Sequence, residues 1–357
     1  MKTFGEIIRG HREQFNWTLS ELSMRTGIDT AILSKIERSE RTATRKNVVT
    51  LSIALSIPLD TTLAHWLSDK IVKEVQYENV GLEALILAED AVKYRIAQKQ
   101  EQIEGLSERM KDKLSECDEL LMKWKANRPL DMGQIRKMEE YFRVNYTYES
   151  NRIEGNTLTM QETHLVVNQG ITIGGKSVRE HLEAVNHSEA IDYLYDLVGQ
   201  KNDLNERVLK ELHYLVLKGI DRENAGKYRS VPVRIGGASF VPAQPYLVPK
   251  LMEDVFVFFE KNKDIMHPVI LAAEMHERVV TVHPFIDGNG RTSRLVMNLI
   301  LLSFGYTIAN LKGDNASRLR YYSALEKSQT TDDKSVFMEL IIDTTIESLK
   351  EHLELCG

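Results

Sequence analysis

The stretch His283-Pro-Phe-Ile-Asp287-Gly288-Asn289-Gly290-Arg291-Thr-Ser-Arg294 joins two apolar segments, one from Ile270 to Val282 and one through Leu295, Leu299 and Leu302. Both segments read as helices, and Pro284 ends the first because proline lacks an N–H donor and biases its predecessor away from α. Gly288 and Gly290 free the backbone to turn tightly and approach a ligand closely. The second helix begins near Gly290, and its N-terminus offers unpaired N–H groups and a positive dipole end, a ready anion site. Arg291 and Arg294 stand three apart on one helix face, with forked guanidinia that suit phosphate oxygens. Asp287 suits a hard cation such as Mg²⁺, which needs only one or two carboxylates when phosphates supply the rest. His283 carries the side chain most readily tuned to a general base near neutral pH. A capped surface loop would account for a lone Gly-Asn-Gly, but not for base, carboxylate, glycines and paired arginines together.

Upstream, Ser150-Asn-Arg-Ile-Glu154-Gly155-Asn156 reads as the last turn of a helix from about Met138, with Gly155 and Asn156 as stop residues. Thr159-Met-Gln-Glu162 is a capping box that opens the next helix. Read alone, Glu154 is an ordinary solvated carboxylate at a helix end.

The two motifs together carry a resemblance. His283 to Arg294 resembles the signature of the Fic proteins, HPFx(D/E)GNGRxxR, at every fixed position, and Ser150 to Gly155 resembles that family's inhibitory motif, (S/T)xxxE(G/N). The resemblance implies transfer of AMP from Mg-ATP to a Ser, Thr or Tyr hydroxyl of a target protein. In that reading His283 deprotonates the hydroxyl, and Asp287 holds Mg²⁺ against the α- and β-phosphates. Gly288, Asn289, Gly290 and Arg291 cradle those phosphates, and Arg294 reaches the γ-phosphate. It also implies a lock formed by Ser150, Glu154 and Gly155, in which Glu154 pairs with Arg294 and keeps the γ-phosphate from docking. Such transfer is mainly positioning plus charge stabilisation. Two other readings stay open: removal of AMP with Glu154 positioning a water, and a transcription regulator whose Fic domain senses nucleotide, which would have no need of His283.

Val231, Val233 and Ile235 alternate, with Arg234 between, and Gly236-Gly237 makes a two-residue turn before Phe240 and Val241. This predicts a β-hairpin, with Pro232 and Pro242 keeping it out of any central strand. It resembles the Fic flap, Val233 to Gly237 here, which holds a target segment by strand pairing. Gly226-Lys-Tyr-Arg229 resembles the family's GxYR stretch, with Arg229 bracing structure. Tyr321 and Tyr322 either line an adenine pocket or pack in the core.

Two other patterns point to less. Gly170-Ile-Thr-Ile-Gly-Gly175-Lys176-Ser177 satisfies the P-loop pattern, yet no strand–helix units surround it, so it reads as a Gly-rich connection between helices. His276-Glu277 lacks the second histidine of a zinc-protease helix because Val280 stands there.

The N-terminal segment is separate. Thr18-Leu-Ser-Glu21 is a capping box, Gly27 breaks the chain, and Asp29 or Thr30 caps a further helix with Ile32, Leu33 and Ile36. This reads as helix-turn-helix, and Phe4 to about Leu59 resembles the Cro/phage-repressor type. Lys35, Arg38, Arg41, Arg45 and Lys46, interspersed with only Glu37 and Glu40, form a locally basic edge that suits DNA phosphates; the other reading of this unit is a small helical interaction module that never touches DNA. Ile103, Met110, Cys117 and Trp124 recur every seven residues. That stripe admits either a coiled-coil homodimer or packing onto the catalytic domain. Pro129 and Asp131-Met-Gly133 mark a boundary. The expected organisation is mostly α: a helix-turn-helix domain over 1–70, a helical linker over 71–130, and a Fic domain over 131–357 with its inhibitory helix at about 138–155.

At 357 residues the chain has room for two or three domains. A net charge of −6 confines any nucleic-acid contact to a local patch. Two cysteines, Cys117 and Cys356, give no disulfide framework and suit a reducing cytosol, and no long apolar span or leader-like segment appears. A cytoplasmic protein with no membrane partner is the expectation.

Overall fold

Helices alone make up the regular structure of the computed structural model, which describes residues 2–127, 132–200, 203–331 and 333–355. The chain divides into two compact units, residues 1–94 and 95–357. No described helix is long and apolar enough to cross a membrane.

The first unit contains α1 (Phe4–Gln14), α2 (Leu19–Thr26), α3 (Thr30–Glu37), α4 (Arg45–Ala54), α5 (Leu59–Val75) and the start of α6 (Gly81–Glu104). Local chemistry sets the ends. Thr3 with Glu6 and Thr18 with Glu21 form reciprocal capping boxes, and Asp29 accepts from the N–H groups of Ala31 and Ile32. Gly27 turns the chain in the left-handed region at φ 68°, where a side chain would be strained. Phe4, Ile8, Leu22, Leu33, Ile36, Leu51 and Trp66 share one core. Glu37 is buried and receives Arg12 through Nε at 2.7 Å and Nη2 at 2.8 Å. It therefore offers nothing to offset the exposed cations Lys35, Arg38, Arg41, Arg45 and Lys46; among the described residues Arg38 alone of these has an ion-pair partner, Glu40 at 3.1 Å.

The second unit contains α7 (Glu108–Ala126), α8 (Met132–Ile153), α9 (Met160–Gln169), α10 (Val178–Gly199), α11 (Glu206–Leu217), α12 (Val248–Asn262), α13 (Pro268–Val282), α14 (Asn289–Ser303), α15 (Asn315–Thr331) and α16 (Ser335–Glu354). The pair α13 and α14 forms its centre and is buried on nearly every face; its apolar residues pack in the core, while Glu274, Glu277, Arg291, Arg294 and Asn298 bring buried polar groups with them. Helices α8, α10 and α11 pack on α14, and α12, α15 and α16 on α13, so the loop between α13 and α14 is held on a rigid base.

Several expectations meet corrections. The seven-residue stripe is not one helix: Ile103 lies on α6, and α7 begins at Glu108. Met110, Leu114, Cys117, Leu121 and Trp124 of α7 are buried against α16, where Lys113 also pairs with Glu339 and Asp343. The stripe is core packing. The helix preceding Glu154 starts at Met132 rather than Met138; Pro129 and Asp131 lie outside the described residues, as does Cys356.

The expected hairpin over Val231–Val241 is absent: among the described residues no strand pairing occurs there. Pro232 and Pro242 bring no N–H donors, and the Ser239 N–H, a potential ladder donor, goes to Glu326 Oε1 at 3.0 Å. What remains is a turn at Gly236–Gly237, closed by Ala238 N–H donating to the Ile235 carbonyl at 3.3 Å.

The P-loop-like stretch is a helix connection. Gly170 caps α9 in the left-handed region, Ser177 opens α10 with a capping box to Glu180, and Lys176 donates to the Thr157 carbonyl at 2.5 Å.

Candidate active site

His283 caps α13 in the left-handed region at φ 52° and ψ 58°, an uncommon backbone for a histidine. Arg229 holds it there. Its Nε donates to the His283 carbonyl at 2.8 Å, its Nη2 to the Ala243 carbonyl at 2.6 Å, and its own N–H to the Pro284 carbonyl at 2.9 Å. Nδ1 of His283 lies 3.2 Å from the Val280 carbonyl, which can only accept, so that nitrogen carries the proton and Nε2 keeps its lone pair. Burial pushes the imidazole below its ordinary value, against a smaller opposing effect of the Val280 carbonyl.

The loop after His283 is built from side chain to backbone. Asn289 Nδ2 donates to the Phe285 carbonyl and Oδ1 accepts the Phe285 N–H, both at 2.9 Å. This side-chain amide is committed to shaping the loop, which leaves the backbone N–H of Asn289 for a ligand. Asn289→Ala should remove two buried hydrogen bonds and destabilise the second unit by about 2 kcal/mol, measured by urea unfolding. His213 on α11 braces the same loop: it stacks on Phe285 at 3.6 Å, accepts the Gly226 N–H on Nδ1 at 2.9 Å, and lies 2.9 Å from the Asp287 carbonyl through Nε2. Burial lowers it to about 4, so it is neutral and Nε2–H donates.

At the start of α14 no side chain caps the helix, which leaves its first N–H groups without a side-chain acceptor. Arg291 is almost wholly buried beside them, and its Nε and Nη1 have no hydrogen-bond partner among the described residues. Its charge is balanced by Glu183 at 3.3 Å and Asp287 at 3.5 Å. Arg179 completes the cluster, with Glu183 at 3.2 Å and Asp287 at 2.6 Å. Burial alone would raise the half-exposed Asp287 carboxyl. Arg291, the Gly288 N–H and Arg179 outweigh it and hold the group below its ordinary value.

Arg294 is fully buried, one helical turn on from Arg291. Its Nη2 lies 2.6 Å from Glu154 Oε1 and 2.9 Å from the Ser150 carbonyl, and Nε donates to Ser150 Oγ at 3.0 Å. Tyr321 Oη stands 3.5 Å from Nη1 and 3.1 Å from the buried His276 Nε2. Tyr321 is thus a core residue that touches the site, while Tyr322 donates to the Ile153 carbonyl at 3.0 Å. Burial would lower the guanidinium, but the Glu154 charge outweighs it and keeps it raised. Glu154 follows the last residue of α8, and Gly155 turns away at φ 97°. A Cβ on Gly290 would run into Glu154 Oε1, so the carboxylate lies directly against the open N-terminus of α14. A negative group thus lies at the start of α14.

His283, Asp287 to Arg291, Arg294, Ser150 and Glu154 thus converge. The turn containing Val233, Arg234, Ile235, Gly236 and Gly237 is linked to them through Arg229, whose Nη1 donates to the Val231 carbonyl at 3.2 Å. Arg179, Glu183 and His213 were not legible as site residues. Only the four-residue spacing of Arg179 and Glu183 hinted at a pair, and His213 lies in an unremarked helix.

Residues 203–301 match the Fic/DOC family, and residues 8–61 match a helix-turn-helix family. A protein adenylyltransferase Fic of Drosophila yakuba is 35% identical over 224 residues, 62% of this chain and 44% of that protein. The chain therefore spans less than half the length of that relative. A Fic-domain signaling protein of Bacteroides thetaiotaomicron superposes with TM-score 0.62 at 28% identity, covering 68% of this chain and 96% of that one. A segment of Fic-1 from C. elegans shares the fold, with TM-score 0.60 at 23% identity over 98% of each chain. The chain carries a Fic domain, preceded by a helix-turn-helix domain.

Proposed function

We propose that this protein is an autoinhibited adenylyltransferase, which moves AMP from Mg-ATP to a Ser, Thr or Tyr hydroxyl of a target protein. One observation carries the reading: a neutral imidazole with a free Nε2 shares a loop with an arginine-lined helix N-terminus, and a carboxylate sits on that terminus. His283 Nε2 takes the proton of the target hydroxyl. The oxygen bonds to the α-phosphorus, the bond from that phosphorus to the bridging oxygen breaks, and pyrophosphate leaves. The N–H groups of Gly288 to Arg291 and the unpartnered edge of Arg291 hold phosphate oxygens, and Arg294 serves the γ-phosphate once Glu154 releases it.

Asp287 fits a Mg²⁺ ligand, since it is half exposed and held ionised; Arg179 must yield Oδ2 for it to serve. Bound there, the cation would neutralise phosphate charge. The exposed basic edge next to α3 favours DNA phosphates as a second partner, through the helix-turn-helix unit.

The test is transfer of labelled AMP by a Glu154→Gly variant across pH. The base must be neutral, so the rate rises with pH to the pKa of His283 and is flat above it. Because that pKa lies below 6.5, the acid limb should have its midpoint under 6.5, with a plateau at neutral pH. A midpoint above 7 would remove His283 from the role of base, and no transfer at any pH would sink the reading.

A further inference from the structure

Asp287 has both carboxylate oxygens engaged. Oδ1 accepts the Gly288 N–H at 2.6 Å and lies 3.5 Å from Arg291 Nη2, and Oδ2 accepts from Arg179 Nη2 at 2.6 Å. Gly288 and Arg291 belong to the signature loop and α14. Arg179 reaches in from the first turn of α10. That is a poor place for a cation, because the N-terminal end of a helix carries positive partial charge. Ser177 and Glu180 already complete the capping box there, so the turn itself has no use for Arg179. What holds Arg179 in place is the other edge of its guanidinium, with Nε donating at 3.2 Å to Glu183 Oε1 four residues on.

The charges decide what this arrangement does. Arg179 and Arg291 face Glu183 and Asp287, so these four charges sum to zero. A divalent cation arriving alone gains no net attraction from them and must compete with a guanidinium for Oδ2. One arriving on a nucleotide brings anionic oxygens with it and needs only one or two carboxylates. The Arg179 side chain keeps 57% of its surface in water and that of Arg291 only 3%, so Arg179 is the partner free to swing away. Glu183 is buried, accepts from Asn156 Nδ2 at 3.0 Å, and stays behind as the anchor.

We infer that Arg179 is a positioning residue that stands in for the metal's charge on Asp287. It excludes a bare divalent cation and yields Oδ2 to one carried by nucleotide. This rests on the reading of Asp287 as the metal ligand.

Electron paramagnetic resonance of Mn²⁺ titrated into the full chain without nucleotide tests it, since Mn²⁺ takes the same oxygen ligands as Mg²⁺. Arg179→Gln should lower the Mn²⁺ Kd by about three- to tenfold, a modest factor because the pair is partly exposed. Arg179→Lys keeps the charge and should move it less, and Arg179→Gln/Asp287→Asn should lose the gain. With ATP present the gain should shrink, because the displaced guanidinium then has phosphate oxygens beside it. A Kd that Arg179→Gln leaves unmoved or raises, while Asp287→Asn still weakens Mn²⁺ binding, would overturn the proposal and keep Asp287 as a ligand. A gain as large with Arg179→Lys, or as large with ATP, would overturn it too. Asp287→Asn without effect on Mn²⁺ binding would instead remove Asp287 as the ligand, and the proposal with it.

Discussion

Glu154→Gly is expected to raise AMP transfer by about ten- to a hundredfold over wild type, about 1–3 kcal/mol. Arg294 is wholly buried and gives Glu154 its shortest contact, while the Glu154 side chain keeps about a third of its surface in water. Removing one partner of a buried pair costs about 3–5 kcal/mol, because the remaining charge is stranded; partial exposure of the carboxylate lowers that figure here. The freed guanidinium then seeks another anion, and the open end of α14 beside it provides the place. The same argument makes a second statement about the variant. It should unfold at lower temperature than wild type without nucleotide and recover more stability when Mg-ATP is added. Glu154→Gln keeps the shape and loses the charge, so its rate should fall between the two. A Glu154→Gly variant no faster than wild type would mean that the carboxylate is a structural clasp and not a lock.

His283→Ala in the Glu154→Gly background should lower transfer by about 10²- to 10⁴-fold, the usual contribution of a positioned general base. Nucleotide affinity should change little, since the phosphates are held by α14 and its arginines. His283→Asn is the stricter variant: asparagine tolerates the left-handed backbone at this position better than alanine, so lost activity with it cannot be attributed to a distorted loop. If either variant weakened ATP binding as strongly as it slowed transfer, His283 would be shaping the phosphate site instead of moving a proton.

How far the sequence could be read depended on the distance over which each cause acts. Capping boxes at Thr18, Thr159 and the turn at Gly27 involve neighbours a few residues apart, and the helices open and close there. The loop from His283 to Arg294 was legible because proline, glycines and arginines are contiguous. By contrast, Glu154 and Arg294 are 140 residues apart, and nothing in their spacing brings them together. Only the family resemblance suggested the pair. Arg179, Glu183 and His213 enter the site from α10 and α11, so their part is visible only once those helices pack on α14. Asn289 was read among the residues that cradle phosphates; its side chain is spent on Phe285, a role that contiguity alone did not show. The hairpin failed because alternation at Val231, Val233 and Ile235 is a local signal, whereas a ladder needs free N–H groups on both arms. Of the two readings of the seven-residue stripe, packing onto the catalytic domain is the one found for Met110, Cys117 and Trp124; spacing alone does not register the chain break that sets Ile103 apart on α6.

The central claim is that a competent transferase is held off by its own carboxylate. The most direct measurement is transfer from α-³²P-ATP with Mg²⁺ to the protein itself and to lysate proteins, comparing wild type, Glu154→Gly and Glu154→Gly/His283→Ala. Strong label with Glu154→Gly, faint label with wild type and none with the double variant is the predicted result. No label from any of the three would contradict it and turn attention to AMP removal, another nucleotide, or a nucleotide-sensing regulator.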